Sequence, residues 1–255
     1  MENTKPSETS ELNDFIVKYS HYLSEIRKSM LLILAVFASA SVFGFLFYEK
    51  IIKFLIDILS LKGINIVFTS PFQFINLAIN CGIATGLVFV FPLVFYKILS
   101  FLKPALRKTE YKMLVRFLPF SIILFLTGFS FGFLIMKWQI EIFLTRSVSL
   151  GIGNILDISK LISTVLITSA LMGIGFQFPV VLLALMRIGV IKHHHLSKQR
   201  LWVYLGSFIF AILLPPDSVL ADILLTLPFI ILFEIVLVIN RIIERRHDKR
   251  IAHNL

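Results

Sequence analysis

Residues 101–112, FLKPALRKTEYK, form a polar island between two long apolar runs, residues 74–99 and 113–136. Lys103, Arg107, Lys108 and Lys112 surround a single acid, Glu110, and Lys97 stands just before them. Each flanking run exceeds the ~20 residues that cross about 30 Å of hydrocarbon. Once both runs are placed in a bilayer, the island lies on one face and fixes the orientation of everything else. Its lone carboxylate among cations is the first candidate for a recognition residue.

Composition extends this reading to the whole chain. Of 255 residues 57% are hydrophobic, only 16% are charged and 26 are Phe, for a mean hydropathy of +0.89. A soluble domain of this size has too little interior to hide that much apolar surface. Helices are the expected spanning element, because lipid leaves no backbone group unpaired. A β-barrel would show alternating segments of about 10 residues instead. The net charge of +10 reads as basic loops on one membrane face rather than as nucleic-acid binding. The single cysteine, Cys81, permits no intramolecular disulfide and no thiolate metal cluster. Residues 1–14, MENTKPSETSELND, lack a basic n-region followed by an apolar core, so they are expected to stay on the mature protein.

Outward from the island the spacing predicts six spans. Residues 1–10 are polar and expected to be disordered. From Leu12, apolar residues Phe15, Ile16, Tyr19, Leu23, Ile26 and Met30 recur at helical spacing opposite Asp14, Lys18, His21, Glu25 and Lys28. That is an amphipathic helix, expected to lie along the interface and then turn into span 1, residues 29–48. Residues 49–70 are too polar to span and read as an external cap with a second amphipathic piece at 51–59. Span 2, residues 72–99, opens after Ser70-Pro71 and should kink at Pro92. Span 3, residues 113–136, carries Gly128 and Gly132 at the GxxxG spacing of a packing face. Residues 137–159 read as a second external segment with Trp138 as an interfacial anchor. Span 4 covers 160–186, and a basic loop at 187–200 follows. Span 5, residues 201–214, is short, about 22 Å long, and Pro215-Pro216-Asp217 turns it into span 6, residues 219–239. Both closing spans are expected to thin the bilayer around them or to sit where protein shields them. The six spans form one domain, residues 11–243, followed by a basic tail at 244–255.

Charge tests that layout. Six spans place both termini on the side of the island, and of the 25 Lys and Arg only Lys50, Lys53, Lys62, Lys137, Arg146 and Lys160 fall on the other side. The positive-inside rule then puts both termini in the cytoplasm.

Glu25, beside Arg27 and Lys28, and Glu110 would both lie at that cytoplasmic surface. Two carboxylates there can take a ligand with closely spaced guanidinium groups, each accepting two parallel N–H bonds. They read equally as ordinary surface acids balanced by basic neighbours. Glu234 sits within an apolar run, where an ionisable group faces protein or water or snorkels to the interface. Gln177 is a milder case, and Pro179 should free a backbone carbonyl near Ile174 or Gly175 for it. His193-His194-His195 cannot converge on one ion, and no Cys/Asp/Glu cluster supports a metal. No nucleotide, metallohydrolase or nucleophile-elbow motif is present.

These blocks, in order, resemble the TatC family, the six-span core component of the twin-arginine protein translocase, over residues 19–243. Tyr22-Leu23-Ser24-Glu25-Ile26-Arg27 matches the family's His-Leu-x-Glu-Leu-Arg-x-Arg. Ser70-Pro71-Phe72 opens span 2. Phe91-Pro92-Leu93-Val94-Phe95-Tyr96 leads into Phe101-Leu102-Lys103-Pro104-Ala105-Leu106 and Glu110. Gly175-Phe176-Gln177-Phe178-Pro179, then Pro215-Pro216-Asp217, Leu227-Pro228 and Phe233-Glu234 complete the set. The chain departs from the pattern at Tyr22, where the family has His, at Ser29, where it has Arg, and at Gln177, where it has Glu.

The resemblance implies a receptor in the bacterial cell membrane, not an enzyme, with no cofactor and no metal. Its helices would form a concave, cup-like array. Glu110, with Glu25, Arg27, Phe101 and Pro104, would bind the arginine pair of signal peptides on folded cargo. Gln177, Pro179, Glu234, Pro71, Pro215, Pro216 and Asp217 would be its intramembrane polar and structural positions. Partners would be single-span TatA/TatB-type subunits and further copies of the chain, with the proton-motive force as energy source. The residues alone leave open a secondary transporter using Gln177 and Glu234, a membrane enzyme, and a scaffold without receptor activity.

Overall fold

With no water in hydrocarbon to satisfy backbone groups, the apolar runs fold as helices. The computed structural model describes the chain except residues 1–7, 60–64, 103–110, 112–114, 117, 152–154, 188–197, 216–217 and 254–255. In chain order come α1 (Glu8–Leu46), α2 (Tyr48–Ile58), β1 (Asn65–Val67), α3 (Gln73–Leu102) and α4 (Leu118–Ser149). Then follow β2 (Ile155–Asp157), α5 (Ile158–Gly175), α6 (Phe178–Arg187), α7 (Arg200–Ile212) and α8 (Val219–His253). Five stretches are long and apolar enough to cross a membrane: Ser24–Leu46, Gln73–Phe101, Leu118–Ser149, Ile158–Met186 and Val219–Ile242. The protein is an all-α polytopic membrane protein.

Several boundaries differ from expectation, each for a local reason. The leading segment and the first span are one unbroken helix, α1. Nothing between Glu8 and Phe43 is Gly or Pro, so no residue there favours a break. α4 runs on through much of the segment read as external, because the next breaker is Gly151, at φ +68°. An ion pair one turn apart, Lys137 to Glu141 at 3.9 Å, lies on that extension. The fourth run is divided at Phe176-Gln177 into α5 and α6. Pro179 has no N–H to give the Gly175 carbonyl, and the Gln177 N–H donates instead to Ile174 O at 3.0 Å. α8 stays apolar to Ile242, long enough to span, so the last run is not short. Only α7 is: its 13 residues give about 20 Å. The amphipathic piece expected at 51–59 is α2, with Leu55 on its buried face.

The helices approach closely where glycine allows it. A Cβ at Gly128 would lie 2.7 Å from the Met172 carbonyl, and one at Gly132 3.0 Å from the Met172 side chain. The predicted GxxxG face of α4 thus packs on α5. Gly82 and Gly86 repeat that spacing on α3 and receive α1, where a Cβ at Gly82 would meet the Ser41 carbonyl at 2.7 Å. One core cluster joins Phe91, Phe125, Met172, Phe176, Leu225 and Phe229 across the middle of the array. A second holds α2 against α3, α4 and α5 through Leu55, Leu77, Ile140 and Ile162. A third ties α6 to α8 through Leu183 and Phe233. Among the described elements, α1 packs mainly on α3 and α7 on α8.

Candidate functional site

Three networks of polar side chains stand out among the described residues. At the end of the bundle away from the 101–112 island, β1 and β2 pair in parallel, Asn65 with Ile155 and Val67 with Asp157. Asp157 also caps α5, its Oδ1 accepting from the Lys160 N–H at 3.1 Å. Its Oδ2 accepts from Thr69 Oγ1 at 2.8 Å and Gln73 Nε2 at 2.7 Å. Gln73 Oε1 in turn accepts from the Thr69 N–H at 2.8 Å, and Ser159 Oγ donates to the Gln73 carbonyl at 3.0 Å. Desolvation pushes the Asp157 carboxyl upward. The hydrogen bonds from Thr69, the Lys160 N–H, Gln73 and the Ser159 N–H outweigh it and hold the group below its ordinary value. One turn deeper, Asn80 Nδ2 donates to Ser163 Oγ at 2.8 Å. This clasp joins two segments that the sequence reading treated as independent loops.

In the interior, Gln177 is 6% exposed at the α5–α6 turn. The Ser121 hydroxyl of α4 donates to its Oε1, while its Nε2 donates to the Ser121 carbonyl at 3.1 Å and the Gly173 carbonyl at 3.4 Å. The carbonyl it takes on its own helix is therefore Gly173's, not one at 174 or 175. Burying an amide costs free energy unless both ends are paired; here both are. Pro179 is buried in the first turn of α6. Phe176 meets Phe229 edge-on at 5.8 Å, and Phe210 meets the same ring at 5.2 Å.

Towards the island end, Glu234 of α8 is half-buried and paired. Tyr204 Oη donates to its Oε1 at 2.5 Å, and Arg200 Nη2 lies 3.5 Å from Oε2. The Tyr204 ring stands at 90° to Phe233. Arg200 and Tyr204, one turn apart on α7, thus compensate the acid on α8. Gln177 and Glu234 belong to separate networks.

The surface residues are placed more simply. Glu25 and Arg27 are exposed on α1, and Phe101 is exposed in the last turn of α3. Pro71 is exposed in the turn before α3, where the Gln73 N–H donates to Ser70 O at 3.1 Å. Pro215 is half-buried in the turn after α7. Glu110, Pro104, Pro216, Asp217 and His193 to His195 lie outside the described residues. Among the described residues no three of His, Cys, Asp and Glu converge as metal ligands.

Sequence reading did not single out Ser121, Tyr204, Arg200, or the Thr69, Gln73 and Asp157 clasp. Arg200 and Tyr204 were findable, since they share a helix face at i and i+4 in an otherwise apolar segment. Asp157 was findable as a cap, standing before an apolar run. Its partners, more than 80 residues away, were not.

Comparison with known proteins agrees with this geometry. Residues 21–228 match the family model for TatC, the Sec-independent protein translocase protein. The chain is 29% identical over 238 residues to TatCy of Bacillus subtilis, covering 91% of each. It is 29% identical over 232 residues to TatC of Listeria innocua, covering 89% of this chain and 93% of that one. A crystal structure of the twin-arginine translocase receptor TatC superposes with a TM-score of 0.76 at 26% identity, covering 86% of this chain and 98% of that one.

Proposed function

Because the chain belongs to the TatC family of Sec-independent protein translocase proteins, we propose that it receives twin-arginine signal peptides on the face that carries Glu110. The chain is a TatC-type translocase subunit of a bacterial cell membrane, multi-pass and not an enzyme. What supports the finer reading is that both acids, Glu25 and Glu110, fall within residues 21–228, the stretch that matches the family, and stand where the sequence resemblance puts the family's two acids. Glu25 and Arg27 are exposed on α1, and Phe101 leads out of α3 towards the island. A carboxylate pair on one surface suits two adjacent guanidinium groups, which bind bidentately where ammonium groups act as point charges. Pro104 would shape the loop between Phe101 and Glu110.

Orientation and count follow from charge. With α7 as a sixth, short crossing, both termini, the island and the basic 187–200 loop share the cytoplasmic side. The leading part of α1 would then lie at the cytoplasmic surface, and the clasp would face outward. Packing of α1 mainly on α3, and of α7 on α8, supports an open, cup-like array. The exposed apolar faces of α7 and α8 (Trp202, Ile209, Ile223 and Ile231 among them) suit single-span TatA/TatB-type helices. Further copies of the chain complete the assembly, and the proton-motive force would drive it. A small-solute transporter would need open polar groups in mid-membrane, whereas Gln177 spends both ends of its amide on Ser121 and Gly173.

The test is crosslinking in membranes to a peptide bearing Ser-Arg-Arg-x-Phe-Leu-Lys and to its Lys-Lys counterpart. The wild type should label at least tenfold more strongly with the arginine peptide, and Glu110→Ala should erase the difference. Equal labelling by both peptides would leave a TatC frame without its recognition.

A further inference from the structure

At the clasp end a cavity of about 380 Å³ opens between α4, the start of α5 and the turn after α7. Met136, Ile140, Phe143, Leu161 and Pro215 make most of its wall apolar. Polar features interrupt that wall. Gln139 lines it, and its Oε1 is buried without a hydrogen-bond partner. Thr164 contributes a hydroxyl. Lys160 stands exposed at the border, in the first turn of α5. Among the described residues no carboxylate pairs with its ammonium. Asp157 borders the cavity too, but its oxygens are engaged by Thr69, Gln73 and the Lys160 N–H.

The depth of the cavity in the membrane follows from its neighbours. Trp138, adjacent to Gln139 on α4, is 44% exposed, and indole rings settle at headgroup level. A lysine at a helix end lays its stem on apolar surface and keeps its charge in the headgroup layer. An apolar wall takes an acyl chain, an orphan acceptor in a dry wall takes a hydroxyl donor, and an unpaired ammonium takes a phosphate.

We propose that this cavity binds one anionic phospholipid from the leaflet on the clasp side, its chain against Phe143 and Leu161, its phosphate at Lys160 and a headgroup hydroxyl on Gln139 Oε1. The site depends on the membrane fold and not on the receptor reading, so either can fail without the other.

The experiment uses the purified full chain in micelles doped with photoactivatable phosphatidylglycerol or phosphatidylcholine, followed by peptide mapping. Phosphatidylglycerol should label residues 136–143 and 156–164 at least threefold more than phosphatidylcholine. Lys160→Gln should bring the two lipids level, and Leu161→Trp, which narrows the cavity, should suppress both. Lys160→Gln alters an exposed side chain, so the test stands even if Leu161→Trp perturbs folding. Excess inorganic phosphate should leave the label unchanged. Equal labelling by both lipids, or labelling spread evenly over the exposed faces of α1 and α8, would overturn the proposal. Displacement of the label by phosphate or by a twin-arginine peptide would overturn it equally, as the mark of a different occupant.

Discussion

Gln177 shows how a single residue was half legible. Its cost in an apolar run is plain from sequence, and so is the proline that interrupts the helix just after it. Ser121, the group that satisfies it, lies 56 residues away on another helix, and no local pattern points there. The pairing predicts a non-additive mutant series. Gln177→Leu strands the Ser121 hydroxyl and should cost about 1–3 kcal/mol, whereas adding Ser121→Ala should recover part of that loss. Thermal melts of the four proteins in detergent check this, and strictly additive losses would contradict the bond. Asp157 contributes a pH dependence at the clasp. Its folded pKa is lowered, so its contribution is complete above the unfolded value of about 3.9 and fades as pH falls through the folded value. The melting temperature should therefore drop as pH falls below the unfolded value and through the lowered folded one, and Asp157→Asn should flatten that slope. An unchanged slope in Asp157→Asn would place the acid sensitivity elsewhere.

Helices were legible as apolar runs, but their ends were not. α1 runs straight from the leading segment into the first span and α4 outruns its expected end, because rising polarity does not by itself end a helix: nothing between Glu8 and Phe43 is Gly or Pro, and α4 continues to Ser149, just before Gly151. The three-residue strands β1 and β2 were invisible, since their pairing joins segments about 90 residues apart. Glycine spacing was the most informative element-level signal, because close approach leaves no room for a side chain. Gly128→Leu would drive carbon into the Met172 backbone and should destabilise by about 1–3 kcal/mol or more. Gly206 on α7 has nothing within 4 Å, so Gly206→Ala should be neutral or slightly stabilising. Denaturation in mixed micelles compares the two, and equal effects would mean that α4 and α5 do not pack through Gly128.

For the whole molecule, the order of its motifs was enough to indicate the family, and the charge asymmetry set by the 101–112 island is what the proposed orientation rests on. They gave no sign of how the outer segments are clasped or of the apolar cavity beside them, because both depend on contacts between distant parts of the chain. The central claim is that the island's face reads an arginine pair. The most direct measurement is export of a folded reporter in a bacterium lacking its own TatC-type subunit, with this chain supplied alongside the single-span TatA/TatB-type subunits proposed as its partners. Export should require the Arg-Arg signal, fail with Lys-Lys, and fall at least tenfold with Glu110→Ala while the protein's abundance in the membrane is unchanged. Equal export with either signal, or export unaffected by Glu110→Ala, would contradict the account.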